Sequence, residues 1–232
     1  MNRVWEAESP RPIYEFGHLG MTGTGRFHED CGIWIRSRDA FAGKPLAALF
    51  LDRDGVVVEE RHYLSRPEDM ALIPGAADII AEANRREIPV VLVTNQSGIG
   101  QGFYGWGAFE TVQEAVEREL ARFGAGLDAV LACPFYPEHP ARKPQPGMLL
   151  AAARMLNLDL AASWIVGDHA RDMEAGYNAG LRGGLHVLTG HGAGQREAAL
   201  GVIDQQLWTG FDLRLGNSIL DAMPIIETGF VA

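Results

Sequence analysis

Apolar residues along this chain fall into two alternating rhythms. Short, nearly continuous apolar runs occupy 46–51 (Leu46-Ala47-Ala48-Leu49-Phe50-Leu51), 89–94, 127–132 and 163–166, with a weaker one near 186–188. Runs of that length, rich in Val, Leu and Ile, read as strands buried on both faces. Between them, apolar positions recur at helical spacing: Ala77, Ile79, Ile80 and Ala83 within 76–86, and Phe109, Val112, Val116 and Leu120 within 108–123. Pro146-Gly147 opens a third helix through Leu156, and 170–179 forms a fourth. Buried strands alternating with helices predict an α/β fold, a Rossmann-like doubly wound parallel sheet covered on both faces. Ligands in such sheets sit beyond the carboxyl ends of the strands.

The two ends are harder to read. Residues 1–43 are punctuated by Pro10, Pro12, Gly17, Gly20, Gly23, Gly25 and Gly32, which favours loops, yet they carry Trp5, Tyr14, Phe16, Phe27 and Trp34. So many large rings are unlike a solvated tail. The expectation is an N-terminal extension over 1–43, ordered on a domain of 44–232, with a short strand at 31–35; disorder is the alternative. After Gly190 the pattern weakens, and 218–226 reads as a last helix. The intervals 55–94 and 94–143 must each hold a helix and a strand. That leaves no room for a large cap domain, which takes at least about 50 residues.

Composition narrows the function classes. The 232 residues can bury a full core, and a net charge of −10 argues against broad contact with nucleic acid. It does not exclude a small phosphorylated substrate, because a bound metal ion reverses the field locally. Cys31 and Cys133 make no disulfide framework, which points to a reducing compartment. No apolar run approaches the roughly 18 residues of a membrane span. Glu6 and Glu8 interrupt any leader-like apolar stretch, so the expected location is cytoplasmic. Nothing fixes the oligomeric state.

The chemistry gathers at the predicted strand ends. The first run delivers Asp52-Arg53-Asp54-Gly55, the second Thr94-Asn95 and the fourth Gly167-Asp168, while Arg142-Lys143 precedes the helix leading into the fourth. Carboxylates two apart near a strand tip face one side and repel, so they need a cation or a shared proton. A hard divalent ion such as Mg²⁺, with oxygen ligands, answers that need. Each group alone has a plain structural reading: an Asp-Gly turn, a β-favouring Thr, a solvated Lys, an N-capping Asp. Their convergence on one edge favours a site.

These residues resemble the haloacid dehalogenase superfamily of phosphotransferases, whose pattern is D-x-D-G, then Thr or Ser, a distant Lys, and G-D-x-x-x-D. Here those are 52–55, Thr94, Lys143 and Gly167-Asp168-His169-Ala170-Arg171-Asp172. Three longer stretches, 50–56, Val93-Thr94-Asn95-Gln96-Ser97-Gly98-Ile99 and Arg142-Lys143-Pro144-Gln145-Pro146-Gly147-Met148, are similar to the heptose-bisphosphate phosphatase and histidinol-phosphatase branch. The resemblance covers about 46–190. It implies Asp52 as nucleophile and Asp54 as proton donor and acceptor. It also implies Mg²⁺ held by Asp52, Asp168 and the backbone carbonyl of Asp54. Thr94, Asn95, Arg142 and Lys143 would hold the phosphorylated substrate, and Asp172 would support the site without ligating the metal.

Gly100-Gln101-Gly102-Phe103-Tyr104-Gly105 matches the dinucleotide fingerprint, but 94–99 separate it from the strand end, so a turn beside the phosphate site is the better account. Three departures from the branch stand out. The loop Cys133-Pro134-Phe135-Tyr136-Pro137-Glu138-His139-Pro140-Ala141 lacks the branch's C-x-H and C-x-C zinc ligands, so no structural zinc is expected. Cys31 is the other thiol, and recruiting it would require the N-terminal extension to reach this loop. His169 stands where the branch often has Lys, and Glu60-Arg61-His62-Tyr63 only partly matches its substrate-contacting segment. The reading is a Mg²⁺-dependent phosphatase of a small phosphorylated metabolite, a heptose-type sugar phosphate first. Histidinol phosphate is second and a nucleic-acid end third. A catalytically silent binding protein on the same fold is the alternative of another class.

Overall fold

The computed structural model describes residues 25–28, 32–204 and 208–230. Expectations placed on Trp5, Tyr14, Phe16 and Cys31 lie outside the described residues. Among the described residues, eight strands form one sheet in the order β1-β2-β5-β4-β3-β6-β7-β8. They are β1 Arg26–His28, β2 Ile33–Ser37, β3 Leu49–Leu51, β4 Val90–Asn95, β5 Ala129–Cys133, β6 Trp164–Gly167, β7 Gly183–His186 and β8 Asp212–Leu215. From β5 to β8 all pairings are parallel, whereas β1 and β2 form a hairpin that joins β5 antiparallel.

The helices are α1 Ala76–Arg85, α2 Ser97–Gly100, α3 Trp106–Ala121, α4 Gly147–Leu156, α5 Ala170–Asn178, α6 Gly192–Asp204 and α7 Met223–Thr228. The period of two persists within the apolar strands and sorts their side chains into two cores. Leu49, Leu51, Leu92, Val130 and Val166 pack with α1, α3 and α7 on one face. Phe50, Val91, Val93, Leu131 and Ile165 pack with α4 and α5 on the other. The sheet is thus buried on both sides, as the runs of apolar residues require. The stretch 52–75 holds isolated bridges and one 3₁₀ turn, Pro67–Asp69, and no independently folded cap.

Several boundaries differ from expectation. The first strand is shorter, and the fifth expected strand lies at 183–186 rather than 186–188. Gly183 and Gly184 begin it because a side chain would not fit: a Cβ on Gly183 would lie 2.6 Å from the Trp164 ring. Residues 218–226 divide into a 3₁₀ turn, Ile219–Ala222, and α7, with Pro224 in the first turn of the latter. α6 and β8 fall where no element was expected. β8 is a partly exposed edge strand whose Asp212 and Arg214 pair with each other at 2.8 Å, so it carries no apolar run.

Candidate active site

The carboxyl ends of β3, β4 and β6 bring Asp52, Thr94 and Asp168 to one edge, where a cavity of about 210 Å³ opens. Asp52, Asp54, Thr94, Asn95 and Asp168 line it, as do Arg53, Glu60, Tyr63, Gln96, Tyr104, His169, Arg171 and His191. Lys143 lies behind Asp52, 1% exposed, with Nζ 2.9 Å from Asp52 Oδ1 and 2.8 Å from Asp172 Oδ1. It also donates to the Val93 carbonyl at 2.9 Å, so all three ammonium protons are used. The side-chain amide of Asn95 exchanges two hydrogen bonds, of 3.0 and 3.1 Å, with the main chain of Lys143. Arg142 is the expected contact that stands apart. It donates to the Phe135 carbonyl at 3.0 Å, and its guanidinium lies 5.3 Å from the Tyr136 ring centre.

Three acids and a lysine in so small a space perturb one another. Burial, together with Asp172, pushes the Asp52 carboxyl up to about 6, although the Lys143 ammonium pulls the other way. Burial, then the charges of Asp52 and Asp172, push Asp168 up to about 8. Burial also opposes ionisation of Asp172, but Lys143 outweighs it and holds that carboxyl below its ordinary value. Lys143 is held above its own by Asp172 and Asp52, against the effect of its burial.

Among the described residues, Asp52, Asp168 and Asp172 form a group whose ligand oxygens lie within 4.8 Å of one another. Asp172 is committed to Lys143 and to the His169 N–H at 3.0 Å. Asp168 Oδ2 accepts from His191 N at 2.7 Å, but its Oδ1 is buried with no partner. An all-oxygen set with an orphaned carboxylate oxygen suits a hard divalent cation. Two glycines make the space. Gly55 and Gly190 both have positive φ, and a Cβ on either would lie within 2.4 Å of Asp168 Oδ2. Thr189 Oγ1 clasps the two turns by donating to the Gly55 carbonyl at 2.5 Å.

Arg53, Gln96 and Tyr104 were given no role by the sequence reading. Strand alternation would aim Arg53 away from its acidic neighbours. The strand ends at Leu51, however, and the chain turns at once, with Val57 and Val58 donating to the Arg53 carbonyl at 2.9 and 3.0 Å. Away from the acids, Phe135 stacks on His139 with ring centres 4.0 Å apart, and His139 Nδ1 accepts from Ala141 N at 3.1 Å. The N-terminal segment does reach this loop: a Cβ on Gly32 would lie 2.6 Å from the Phe135 ring.

A parallel α/β sheet that ends its central strands in Asp-x-Asp-Gly, Thr and Gly-Asp, backed by a buried lysine, defines a phosphoryl-transfer enzyme of the haloacid dehalogenase type. Comparison with known proteins agrees: a family model described as HAD-hydrolase-like matches residues 140–205. The chain is 46% identical over 176 residues to a D-glycero-beta-D-manno-heptose-1,7-bisphosphate 7-phosphatase of Mesorhizobium japonicum, covering 72% of this chain and 81% of that one. It is 36% identical over 156 residues to the enzyme of that name from Escherichia coli K12, covering 63% and 82%. A solved HAD-like phosphatase from Mesorhizobium loti superposes with TM-score 0.72 at 37% identity, over 89% of this chain and 98% of that one. The D,D-heptose 1,7-bisphosphate phosphatase of B. bronchiseptica, solved with magnesium and phosphate, gives 0.68 at 30% identity, over 78% and 99%. The chain belongs to the HAD-like phosphatases and is a phosphoric monoester hydrolase.

Proposed function

We propose that this enzyme hydrolyses a heptose-type sugar phosphate, with Mg²⁺, through a phosphorylated Asp52. The buried, unpartnered Oδ1 of Asp168 beside Asp52 carries the metal-dependent part of this reading. The named relatives, phosphatases of heptose bisphosphate, support the substrate class. Asp52 and Asp168 would hold the ion, which when bound offsets the negative charge of the phosphate and the acids.

The chain's own groups then divide the work. Asp52 Oδ1 accepts from Arg53 N at 2.8 Å and faces Lys143, which leaves Oδ2 to attack phosphorus. As the new P–O bond forms, the ester P–O bond breaks and Asp54 gives its proton to the departing alkoxide. Asp54 then takes a proton from water, whose oxygen attacks phosphorus and frees Asp52 with inorganic phosphate. Lys143 balances charge on Asp52 throughout, and Thr94 Oγ1 would hold a phosphoryl oxygen.

The test is a panel of heptose 1,7-bisphosphate, histidinol phosphate, hexose phosphates and p-nitrophenyl phosphate, with Mg²⁺ and with chelator. Highest kcat/KM for the heptose ester, abolished by chelation, is expected. Preference for histidinol phosphate would replace the substrate, and turnover indifferent to chelation would reject the metal-dependent route.

A further inference from the structure

The carboxylate of Asp54 is held from two sides. Arg53 NH2 donates to Oδ1 at 3.0 Å and Arg53 Nε lies 3.2 Å from Oδ2, while Gln96 Nε2 donates to Oδ2 at 3.0 Å. Arg53 also reaches Gln96 Oε1 at 3.2 Å, closing a ring of three side chains. Its guanidinium is 1% exposed and lies 5.2 Å from the ring centre of Phe109, itself fully buried. Burying a guanidinium costs several kcal/mol of hydration, so fold stability alone would be served as well by an apolar residue here.

Gln96 can support Asp54 only if its amide faces the right way. Nε2 donates both to Asp54 and to Thr94 Oγ1, the latter at 2.8 Å, and a flipped amide would place an acceptor against the carboxylate oxygen of Asp54. Arg53, which can only donate, opposes the flip by meeting Gln96 Oε1 at 3.2 Å, and the Tyr104 hydroxyl braces the same oxygen by donating to it at 2.5 Å. Tyr104 is itself seated on Gly98, where a Cβ would lie 2.4 Å from its ring.

We propose that Arg53, Gln96 and Tyr104 are positioning residues that fix the carboxyl of Asp54 toward the leaving oxygen and then toward the attacking water. This rests on Asp54 as the proton donor and acceptor, as proposed above. The forked guanidinium serves where a point charge would not, because it meets Asp54 and Gln96 at once.

The full-length enzyme with Mg²⁺ is tested by rapid mixing with p-nitrophenyl phosphate, whose phenolate leaves unprotonated, and by steady-state turnover of an alkyl phosphate. Tyr104→Phe is expected to slow alkyl-phosphate turnover and hydrolysis of phospho-Asp52 about tenfold, and Arg53→Met about 10²-fold. Release of the first nitrophenolate should stay within about threefold of wild type, so that a burst of one per chain appears. Arg53→Lys should recover little of the loss. Burst and alkyl rates falling by the same factor, or Tyr104→Phe keeping wild-type rates, would overturn the proposal. Tyr104→Phe removes one oxygen and keeps the ring, so the test stands even if Arg53→Met does not fold. Asp54→Asn is the control: absence of a burst there would remove the Asp54 reading, and the proposal with it.

Discussion

Lys143 and Asp172 meet at 2.8 Å with neither more than 1% exposed, which makes Asp172 the anchor of the site's one buried ammonium. Neutralising Asp172 leaves the buried ammonium with Asp52 as its one charged partner. Asp172→Asn should therefore destabilise the fold by about 1–3 kcal/mol and lower kcat. Urea unfolding read alongside turnover checks this; a change under about 1 kcal/mol would mean that Asp52 and the Val93 carbonyl suffice to hold the lysine.

Asp168 is the mirror case. Its raised carboxyl means that the metal-free fold must take up a proton there at neutral pH that the unfolded chain does not hold, which costs stability. Asp168→Asn should leave metal-free stability equal or higher, and should abolish the stabilisation by Mg²⁺, about 2.7 kcal/mol at a hundredfold excess over Kd in the parent. Thermal unfolding with and without Mg²⁺ measures both; a variant stabilised by Mg²⁺ as much as the parent would remove Asp168 from the metal site.

Gly190 permits no side chain. With φ at +57°, a Cβ would lie 2.3 Å from Asp168 Oδ2 and 2.6 Å from Gly55 Cα. Gly190→Ala should cost about 1–3 kcal/mol of stability and at least tenfold in kcat, because the carboxylate must move. Wild-type kinetics in that variant would show that Asp168 has slack.

The loop around His139 should work without zinc. Phe135 stacks on the imidazole, and His139 Nδ1 is occupied by Ala141 N–H. Elemental analysis of protein purified without chelator should find no tightly held zinc; one per chain would overturn this.

Deleting residues 1–43 should cause self-association. The deletion removes Ile33, Trp34 and Ile35, all buried, and uncovers β5, a wholly buried strand of five residues. An uncovered apolar edge is a template for pairing between chains. Light scattering of the truncated protein checks this, and a monodisperse monomer of full stability would refute it.

The central strands and α1, α3, α4 and α5 were legible because burial on both faces leaves unbroken apolar runs, and because helical spacing survives in the amphipathic elements. The carboxylates, Thr94 and Lys143 were legible as residues at strand ends, since parallel topology sends those ends to one edge. β7 and β8 were obscured for opposite reasons, one by glycines that make room for Trp164 and one by a charged edge. Arg53 was missed because alternation was carried past the strand's end at Leu51. The side-chain placement of Gln96 and Tyr104 depends on the turn through Gly98, which no periodicity encodes. A short strand was legible at 31–35, within reach of β2 at Ile33–Ser37, but its antiparallel pairing was hidden because the partner that β2 covers lies about ninety residues away.

That separation has a consequence for how the protein comes into being. β2 ends at Ser37 and its partner β5 begins at Ala129, so β1 and β2 have no place to dock until that later segment has emerged from the ribosome. At synthesis rates of about 5–20 residues per second the delay is on the order of 5–20 seconds. Throughout it Ile33, Trp34 and Ile35 stay exposed to water and to other nascent chains. The catalytic half of the sheet, from β3 through β6, is assembled from later segments. The hairpin therefore closes a sheet whose site has yet to receive Asp168, and the enzyme's interval of greatest vulnerability falls before its active site exists.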